Sequence, residues 1–387
     1  MHSLPATALA ETNTMARVSP LHFAMQPIWT DADGCWCTSD HWVYRYDYIT
    51  SQLRKVFRLP RKSNSLLGRL KDYLARSWLR RRYLPVVGIS NLVELPNRDI
   101  IIIYDQVFWY SPQQDHQFAV ALPCTEKSGM APPLRGGIAV HDKSNCAYFG
   151  EYLNGHDRSI NVFRINVSSR LVEACWSFSR SEIKHIHAIH YDRFRNRLWI
   201  CTGDLDHESA FYYTDDEFRT VHRFAGGDQS WRAIALLFDE SGMEWGMDAG
   251  KDAPAEAINR IYRYDFQTAE RTELAVIGNP AYSALAFEDG TALMQTSFEP
   301  GRLQDTAEEM TLWFRDVDRC WHPCYSVPYQ PRSIQGAGKY GHIFLPAGMS
   351  PNGQALFTPF NCLEGNYRLQ VIKLNKPQKH SEESERS

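Results

Sequence analysis

A repeat with a period near fifty residues is the feature that most constrains the fold of this chain. Its clearest copy, KHIHAIHYDRFRNRLWICTGD at 184–204, places His185, His187 and Ile189 on one strand face and turns at 192–196. Because successive side chains of a strand point to opposite faces, this pattern predicts a β-hairpin. Three other segments align with it on the residue that opens the turn: 135–142, 232–239 and 282–289.

Two further strands are predicted after each hairpin. One of these two strands contains an aromatic or aliphatic run in each unit. The equivalent residues of successive runs are 49, 50, 52 and 53 positions apart, and they are Arg164, Tyr213, Arg263, Arg315 and Arg368. Four strands in a unit of this length are typical of a β-propeller blade. We therefore predict an all-β chain with one propeller, of seven four-stranded blades, over residues 21–374. A flexible tail is expected at 1–20 and a disordered tail at 375–387.

One stretch does not follow the repeat. Residues 61–84 place Leu67, Leu70, Leu74 and Trp78 at helical spacing and carry eight basic residues against a single acidic one. This predicts a basic amphipathic helix inserted between the first two blades. Such a helix can make a peripheral contact with an anionic membrane, or it can pack on the propeller with its cations solvated.

Charge and cysteine content narrow the class of protein. With 42 basic and 45 acidic residues the net charge is −3, so we expect no nucleic-acid partner. The sequence has no run of eighteen apolar residues and no secretory pattern at its start, which predicts a cytoplasmic protein that can be peripheral to the membrane. The nine cysteines lie mostly in apolar runs, as reduced thiols do.

The repeat also predicts which residues share one opening of the propeller. An inner strand begins on the rim where the next, antiparallel strand ends. The inner-strand starts are Arg135, His185, Arg232 and Tyr282, with Arg332 at the matching place in the last unit. The ends of the second strands are Glu151, Asp204, Asp248 and Glu299. Such residues either form ion pairs that tie blades together or line a binding site.

The residue types at this rim suit chemistry on an acidic saccharide. In β-elimination of a uronide, His185 or Tyr282 would transfer protons while arginines hold the substrate carboxylate. In glycoside hydrolysis, two carboxylates, or a tyrosine next to a glutamate, would act. The candidate catalytic residues are His185, Tyr282, Asp204, Asp248 and Glu299. The candidate substrate-binding residues are Arg135, Arg232, Arg332, Glu151, His187 and Trp231.

A metal site is not predicted, and the cofactor is left unknown. His185 and His187 share a strand face, as two metal ligands would, but His190 points away. The sequence shows no clear third ligand for an ion bound by the two histidines.

A short segment resembles a motif of sialidase-like propellers. Residues 213–221, YTDDEFRTV, are similar to the Asp-box hairpin S-x-D-x-G-x-T-W through Thr214, Asp216 and Thr220. The chain is also similar, more broadly, to propeller proteins associated with surface polysaccharides. This resemblance implies a carbohydrate-related propeller. Specificity for sialic acid is not carried over, because only one box is present and seven blades are expected.

These observations lead to one functional hypothesis and two alternatives. We expect a carbohydrate-active enzyme that cleaves an acidic glycan by lyase or glycosidase chemistry at the propeller mouth. One alternative is a non-catalytic glycan-binding or scaffold propeller. The other is a transferase that assembles glycans in a membrane-associated polysaccharide pathway, although the sequence has no nucleotide-phosphate motif.

Overall fold

The computed structural model describes residues 16–60, 88–114, 119–126, 129–304, 307–331 and 336–374. In these ranges β-strands carry nearly all of the regular structure. The first thirteen strands are β1 (Ala16–Phe23), β2 (Gln26–Thr30), β3 (Gly34–Ser39), β4 (Trp42–Asp47), β5 (Leu53–Arg58), β6 (Asn91–Glu94), β7 (Ile100–Ile103), β8 (Val107–Tyr110), β9 (Val120–Ala121), β10 (Ile138–His141), β11 (Cys146–Gly150), β12 (Ile160–Asn166) and β13 (Leu171–Phe178).

The second part of the chain adds sixteen strands and two 3₁₀ turns, at Gln229–Trp231 and Gly336–Lys339. The strands are β14 (His185–Asp192), β15 (Arg197–Gly203), β16 (Ala210–Thr214), β17 (His222–Gly226), β18 (Leu236–Phe238), β19 (Gly242–Gly246), β20 (Asn259–Asp265), β21 (Glu270–Gly278), β22 (Ala281–Phe287), β23 (Ala292–Thr296), β24 (Glu309–Arg315), β25 (Trp321–Pro328), β26 (His342–Phe344), β27 (Ala347–Ser350), β28 (Gln354–Phe360) and β29 (Arg368–Leu374).

The strands form a β-propeller, which confirms the all-β prediction. Four sheets are built from consecutive strands, β6–β9, β10–β13, β14–β17 and β18–β21, each paired antiparallel with its sequence neighbour. A fifth four-stranded sheet has the order β1-β29-β28-β26. The remaining sheet has nine strands, in the order β25-β24-β23-β22-β27-β2-β3-β4-β5.

The prediction of seven separate four-stranded blades is therefore wrong: the described residues form five four-stranded sheets. The physical reason is β27, which pairs in parallel with both β2 and β22 and joins their strands into one continuous sheet. The predicted helical insertion is not supported either, because the described ranges contain no α-helix and residues 61–84 lie outside them. No helix within those ranges is long and apolar enough to cross a membrane.

The two ends of the described chain meet in one sheet. β1 pairs antiparallel with β29, from Ala16 opposite Leu374 to Phe23 opposite Arg368. β1 begins inside the segment that the sequence assigned to a tail. Because a strand contributed by the other end of the chain completes the sheet, the ring needs no additional closing element.

The core lies between neighbouring sheets. Phe149 of β11 stacks on Phe163 of β12 in the same sheet, with ring centroids 5.3 Å apart. Both side chains have no exposed surface and belong to an apolar cluster that also contains Ile101 and Ile103 of β7, in another sheet. Trp199 of β15 and Trp245 of β19 are also completely buried and belong to one apolar cluster that joins two sheets. Burial of each large apolar side chain contributes about 2 kcal/mol, so these contacts hold the sheets, and the residues at their ends, in fixed positions.

Candidate functional site

The clearest cluster of ionisable side chains lies at the start of β14 and the end of β15. His185 and His187 belong to β14, and Asp204 follows the last residue of β15. The exposed fractions of these residues are 0%, 1% and 7%, so all three are buried. We call them the His–Asp cluster. Buried ionisable groups are held in place by their partners, which are described next.

Three atoms of the His–Asp cluster are in mutual contact. His185 Nε2 lies 3.2 Å from His187 Nε2 and 3.3 Å from Asp204 Oδ1, and His187 Nε2 lies 3.2 Å from the same oxygen. The pairing register of β14 with β15 shifts between Ile186 and Ala188, so His187 occupies a β-bulge. Bulges re-aim a side chain and are common beside active sites.

Two cations hold the carboxylate of Asp204. Lys184 Nζ lies 2.6 Å from Oδ2, and Arg232 Nη2 lies 3.0 Å from Oδ1. Burial raises the pKa of Asp204, but the contacts of both histidines with its carboxylate and the charge of Arg232 outweigh burial, so the pKa falls well below its usual range. Burial lowers the pKa of His187 to about 4, despite its contact with Asp204. His187 is therefore neutral at pH 7.

Arg232 connects the His–Asp cluster to two further carboxylates. Its Nη1 lies 3.0 Å from Asp252 Oδ1, and its Nε lies 3.7 Å from Asp248 Oδ2. Among the described residues, no acceptor lies within hydrogen-bonding distance of Arg232 Nε. Burial raises the pKa of Asp248 well above its usual value, and the charge of Arg232 only partly opposes this effect. Asp248 consequently holds a proton more strongly than an exposed aspartate does.

Tyr282 and Glu299 form a hydrogen-bonded pair next to these groups. The Tyr282 hydroxyl donates to Glu299 Oε1, and the backbone N–H of Lys251 donates to Glu299 Oε2 over 2.8 Å. Burial is the main cause that raises the pKa of Glu299. Tyr282 also lies at a register shift, between Ala281 and Ser283 of β22. The loop of Lys251 contains Asp252, so it links the Tyr282–Glu299 pair to Arg232.

A cavity of about 600 Å³ follows the axis of the propeller. Arg135 and Tyr282 line one end of it, and Asp142 and Arg193 line the other. Its wall is mostly apolar, with residues from the inner strands such as Ile138, Leu236 and Ala284. Of the described residues, neither the His–Asp cluster nor Arg232 lines the cavity. A ligand in this cavity would reach Tyr282 first.

Two predicted substrate-binding residues have structural partners instead of an open face. Glu151, with no exposed surface, lies 2.6 Å from Arg158 Nη1 and accepts a hydrogen bond from the backbone N–H of Ala131 over 2.9 Å. Trp231 stacks on Trp245 with ring centroids 5.1 Å apart, inside the apolar cluster between two sheets. Glu151 nevertheless borders the His–Asp cluster, because its carbonyl oxygen accepts a hydrogen bond from the backbone N–H of Ile186 over 3.1 Å.

The two remaining arginines of the prediction do not join the cluster. Arg135 Nη1 donates to Gln26 Oε1 over 2.8 Å, and its guanidinium lies 4.6 Å from the ring centroid of Phe344. Burial lowers the pKa of Arg135 to about 10. Arg332 lies outside the described residues. The contacts thus bring together His185, His187, Asp204, Arg232 and Asp248, with Tyr282 and Glu299 as neighbours; their catalytic roles stay predictions.

Three further residues of this region were not singled out from the sequence. Lys184 and Asp252 hold Asp204 and Arg232, and Arg302 follows the end of β23. Arg302 Nη2 has no acceptor within bonding distance in the described part of the chain. Burial lowers the pKa of Arg302, although the charge of Glu299 opposes the shift. Each of the three lies within four positions of a predicted site residue, and this closeness in the sequence could have pointed to them.

Two groups of side chains in the described ranges have the geometry of metal ligands. One is the His–Asp cluster, and the other is formed by Asp316, Cys320 and His322. The second group is mostly exposed: Asp316 and Cys320 lie on either side of the turn before β25, and His322 is the second residue of β25. His190 joins neither group, because its Nε2 lies 2.7 Å from the carbonyl oxygen of Ile234.

The fold and the site define a β-propeller with a buried polar cluster at one end of its inner strands. No protein-family model matches the chain, and no curated protein sequence matches it. Similar solved structures include an oligogalacturonate lyase from Vibrio parahaemolyticus, with a TM-score of 0.58, 10% identity, and coverage of 94% of this chain and 91% of that chain.

Two further solved structures are similar to a comparable degree. An oligogalacturonate lyase in complex with manganese has a TM-score of 0.55 and 11% identity, over 93% of this chain and 91% of that one. A GH74 enzyme from Niastella koreensis has a TM-score of 0.52 and 14% identity, over 80% of this chain but only 47% of that chain. At these identities the comparisons show the shared fold alone.

Proposed function

We propose that this propeller is a carbohydrate-active protein that cleaves an acidic saccharide by lyase or glycosidase chemistry. The substrate would enter the end of the axial cavity that Tyr282 lines. A glycan is a suitable ligand there because apolar walls can face sugar rings while a few polar groups fix the orientation. Oligogalacturonate, the polymer in the name of two structural neighbours, is an acidic saccharide and comes first among the substrates to test.

The Tyr282–Glu299 hydrogen bond is the observation that carries this proposal. It places Tyr282, which lines the cavity, in proton-transfer contact with Glu299, which does not itself line it. The raised pKa of Glu299, caused mainly by burial, makes its carboxylate a stronger proton acceptor than that of an exposed glutamate.

The neighbouring guanidinium groups supply the other requirement of an acidic substrate. Arg232 Nε and Arg302 Nη2 are buried donors without an acceptor in the described structure. Leaving such a donor unpaired costs about 1–3 kcal/mol. Neither of these two arginines lines the axial cavity, so a substrate carboxylate would have to pass the Tyr282–Glu299 pair to reach them. Its oxygens would then accept paired hydrogen bonds from the guanidinium groups.

The lyase form of the reaction needs three groups. A base removes the proton from C5 of a uronide, the C4–O bond breaks as the C4–C5 double bond forms, and an acid protonates the departing oxygen. Glu299 and Tyr282 would act as this base and acid, and the arginines would stabilise charge on the substrate carboxylate. In the glycosidase form, Tyr282 would instead attack C1 as its proton passes to Glu299, and the bond from C1 to the leaving oxygen would break as that oxygen takes a proton from water. A second water would then hydrolyse the tyrosyl–sugar bond.

A panel of acidic oligosaccharides tests the proposal directly. The full chain is incubated with oligogalacturonate and other uronides, and product is followed as ultraviolet absorbance of the unsaturated uronide and as new reducing ends. Absorbance with reducing ends indicates a lyase, and reducing ends alone indicate a glycosidase. If both signals stay flat with folded protein across the panel, the catalytic proposal is wrong.

A non-catalytic glycan-binding or scaffold propeller is the second candidate function. It is favoured by the burial of His185 and His187, which have almost no exposed surface, and by the ion pairs that occupy Asp204. Isothermal titration calorimetry with the same saccharides separates the candidates. Binding that leaves the saccharide intact supports the second candidate against the first.

A further inference from the structure

Both histidines of the His–Asp cluster direct their Nδ1 atoms at carbonyl oxygens. His185 Nδ1 lies 3.1 Å from Asn154 Oδ1 and 3.3 Å from the oxygen of Leu153, and His187 Nδ1 lies 3.2 Å from the oxygen of Ala233. A carbonyl oxygen only accepts, so each Nδ1 carries the hydrogen. A neutral imidazole protonated at Nδ1 presents a lone pair at Nε2.

The two Nε2 atoms and Asp204 Oδ1 therefore meet as three acceptors. They are separated by 3.2, 3.3 and 3.2 Å, and none of the three atoms supplies a hydrogen when both rings are neutral. Acceptors this close repel one another unless a cation lies among them. A single added proton could serve one pair of these atoms, whereas a metal ion could bind all three.

The spacing agrees with a metal coordination sphere. With bond lengths of about 2.1 Å, adjacent ligands lie about 3.0 Å apart around an octahedral ion and about 3.4 Å apart around a tetrahedral one. The observed separations fall between these values. We propose that His185, His187 and Asp204 bind one divalent first-row transition-metal ion through His185 Nε2, His187 Nε2 and Asp204 Oδ1.

The surroundings of the three atoms resemble the outer shell of a metal site. Metal-binding histidines commonly donate their other ring N–H to a carbonyl or carboxylate, which fixes tautomer and orientation. Leu153 and Ala233 supply those carbonyls, and Lys184 holds the second oxygen of Asp204. Two imidazole nitrogens with one carboxylate oxygen suit Mn²⁺, Fe²⁺, Co²⁺ or Zn²⁺ and leave further positions open.

Space and charge around the cluster also permit an ion. A Cβ at Gly203 would lie 2.7 Å from His187 Cε1 and 3.1 Å from Arg232 Cγ, so only glycine leaves room for this ring position. Arg232 brings positive charge to Asp204 Oδ1, but Asp252 Oδ1 lies 3.0 Å from its Nη1 and offsets that charge. This inference is independent of the proposed function, because an ion can bind whether or not a saccharide is cleaved.

Metal binding by the full, tag-free chain tests the site. After dialysis against a chelator, the protein is titrated with Zn²⁺ and with Mn²⁺ by calorimetry, and bound metal is counted by mass spectrometry. We expect one tightly bound ion per chain. Asp204→Asn and His187→Gln should each weaken binding by about 10-fold or more. His322→Gln is the matched control, since it removes a ligand from the exposed Asp316–Cys320–His322 group and should leave binding unchanged.

The possible results decide the matter. The proposal is overturned if the chain shows no stoichiometric binding. It is also overturned if binding is lost in His322→Gln and kept in Asp204→Asn and His187→Gln. Because the buried substitutions can also unfold the protein, a second measurement uses the wild-type chain alone. Pulsed electron paramagnetic resonance of one equivalent of Cu²⁺ should show the remote Nδ1 nitrogens of two imidazoles, and a spectrum without imidazole couplings contradicts the site.

Discussion

Arg232 Nη2 lies 3.0 Å from Asp204 Oδ1, so a buried guanidinium and two histidines share one carboxylate oxygen. Substituting Arg232 with glutamine should destabilise the protein by about 3–5 kcal/mol, because the remaining buried carboxylates lose their partner. Urea unfolding measures the change. Arg260→Gln removes a partly exposed pair with Glu273 and should cost less than about 1 kcal/mol. Equal losses in the two variants would contradict a special role for Arg232.

The Tyr282–Glu299 pair predicts an effect on catalysis that is separate from folding. Once a substrate is found, Tyr282→Phe should lower kcat by about 10²–10⁴-fold, because it removes the proton-transfer hydroxyl and keeps the ring. Tyr191→Phe is the control: Tyr191 lines the same cavity and its hydroxyl donates to Asn196, away from Glu299. Steady-state kinetics with both variants checks the assignment, which fails if Tyr282→Phe retains wild-type kcat.

The ion pairs of Asp239 predict a dependence of stability on pH. Arg263 Nη1 and Arg319 Nη1 both donate to Asp239, and Arg263 is 2.8 Å away. Burial by itself would raise the pKa of Asp239. The hydrogen bonds and charges of the two arginines lower this pKa by more than burial raises it, so the folded pKa lies below the usual 3.8. The ionised carboxylate therefore stabilises the native state above pH 3.8 and loses this effect as the pH falls through the folded pKa.

Asp239→Asn should consequently destabilise the protein by about 2 kcal/mol at pH 7. The difference between variant and wild type should shrink as the pH falls below 4. Denaturant unfolding at pH 7, 5 and 3 measures this trend. A difference that is constant with pH would mean that the charge of Asp239 does not contribute.

The position of the His187 ring depends on the absence of a side chain at Gly203. Gly203→Ala would place a Cβ 2.7 Å from His187 Cε1 and displace that ring. We expect weaker binding of Zn²⁺ with a smaller effect on the thermal unfolding temperature. Calorimetric titration together with thermal unfolding distinguishes these effects; unchanged affinity would show that His187 is not held in place for an ion.

The thiols provide a test that involves no site residue. All nine cysteines are free, and only Cys320 is exposed. Ellman's reagent should therefore react rapidly with one thiol per native chain and with nine after unfolding. In Cys320→Ser the rapid phase should disappear. Rapid reaction of several thiols in the native wild type would mean that the buried strands open easily.

The hairpins and turns of this chain were predictable because their determinants are local. Asp192 opens the turn after β14, and its Oδ1 accepts hydrogen bonds from the backbone N–H groups of Phe194 and Arg195. Such a contact spans three residues and leaves a sequence signal. The union of two sheets through β27 left none, because parallel pairing with β2 and β22 depends on segments far apart in the chain.

The candidate site likewise combines features that the local sequence predicts with features that depend on distant parts of the chain. The repeat and the antiparallel direction of paired strands predicted that His185, Asp204, Arg232 and Asp248 meet at one rim. The pairing of the Glu151 side chain with Arg158 was not predictable in this way, because Arg158 comes from a loop whose path the repeat does not specify. The Asp-box resemblance marked a real turn, in which Thr220 donates to Asp216, but the turn does not reach the site.

The sequence by itself determined the strand repeat, the propeller class and the chemical types of the residues at one rim, because period and alternation are properties of neighbouring positions. Only the tertiary structure decided the number of sheets, the bulge at His187 and the meeting of two Nε2 atoms with Asp204 Oδ1. These depend on how distant strands pair and how closely they approach, and a single glycine, Gly203, leaves the space for them.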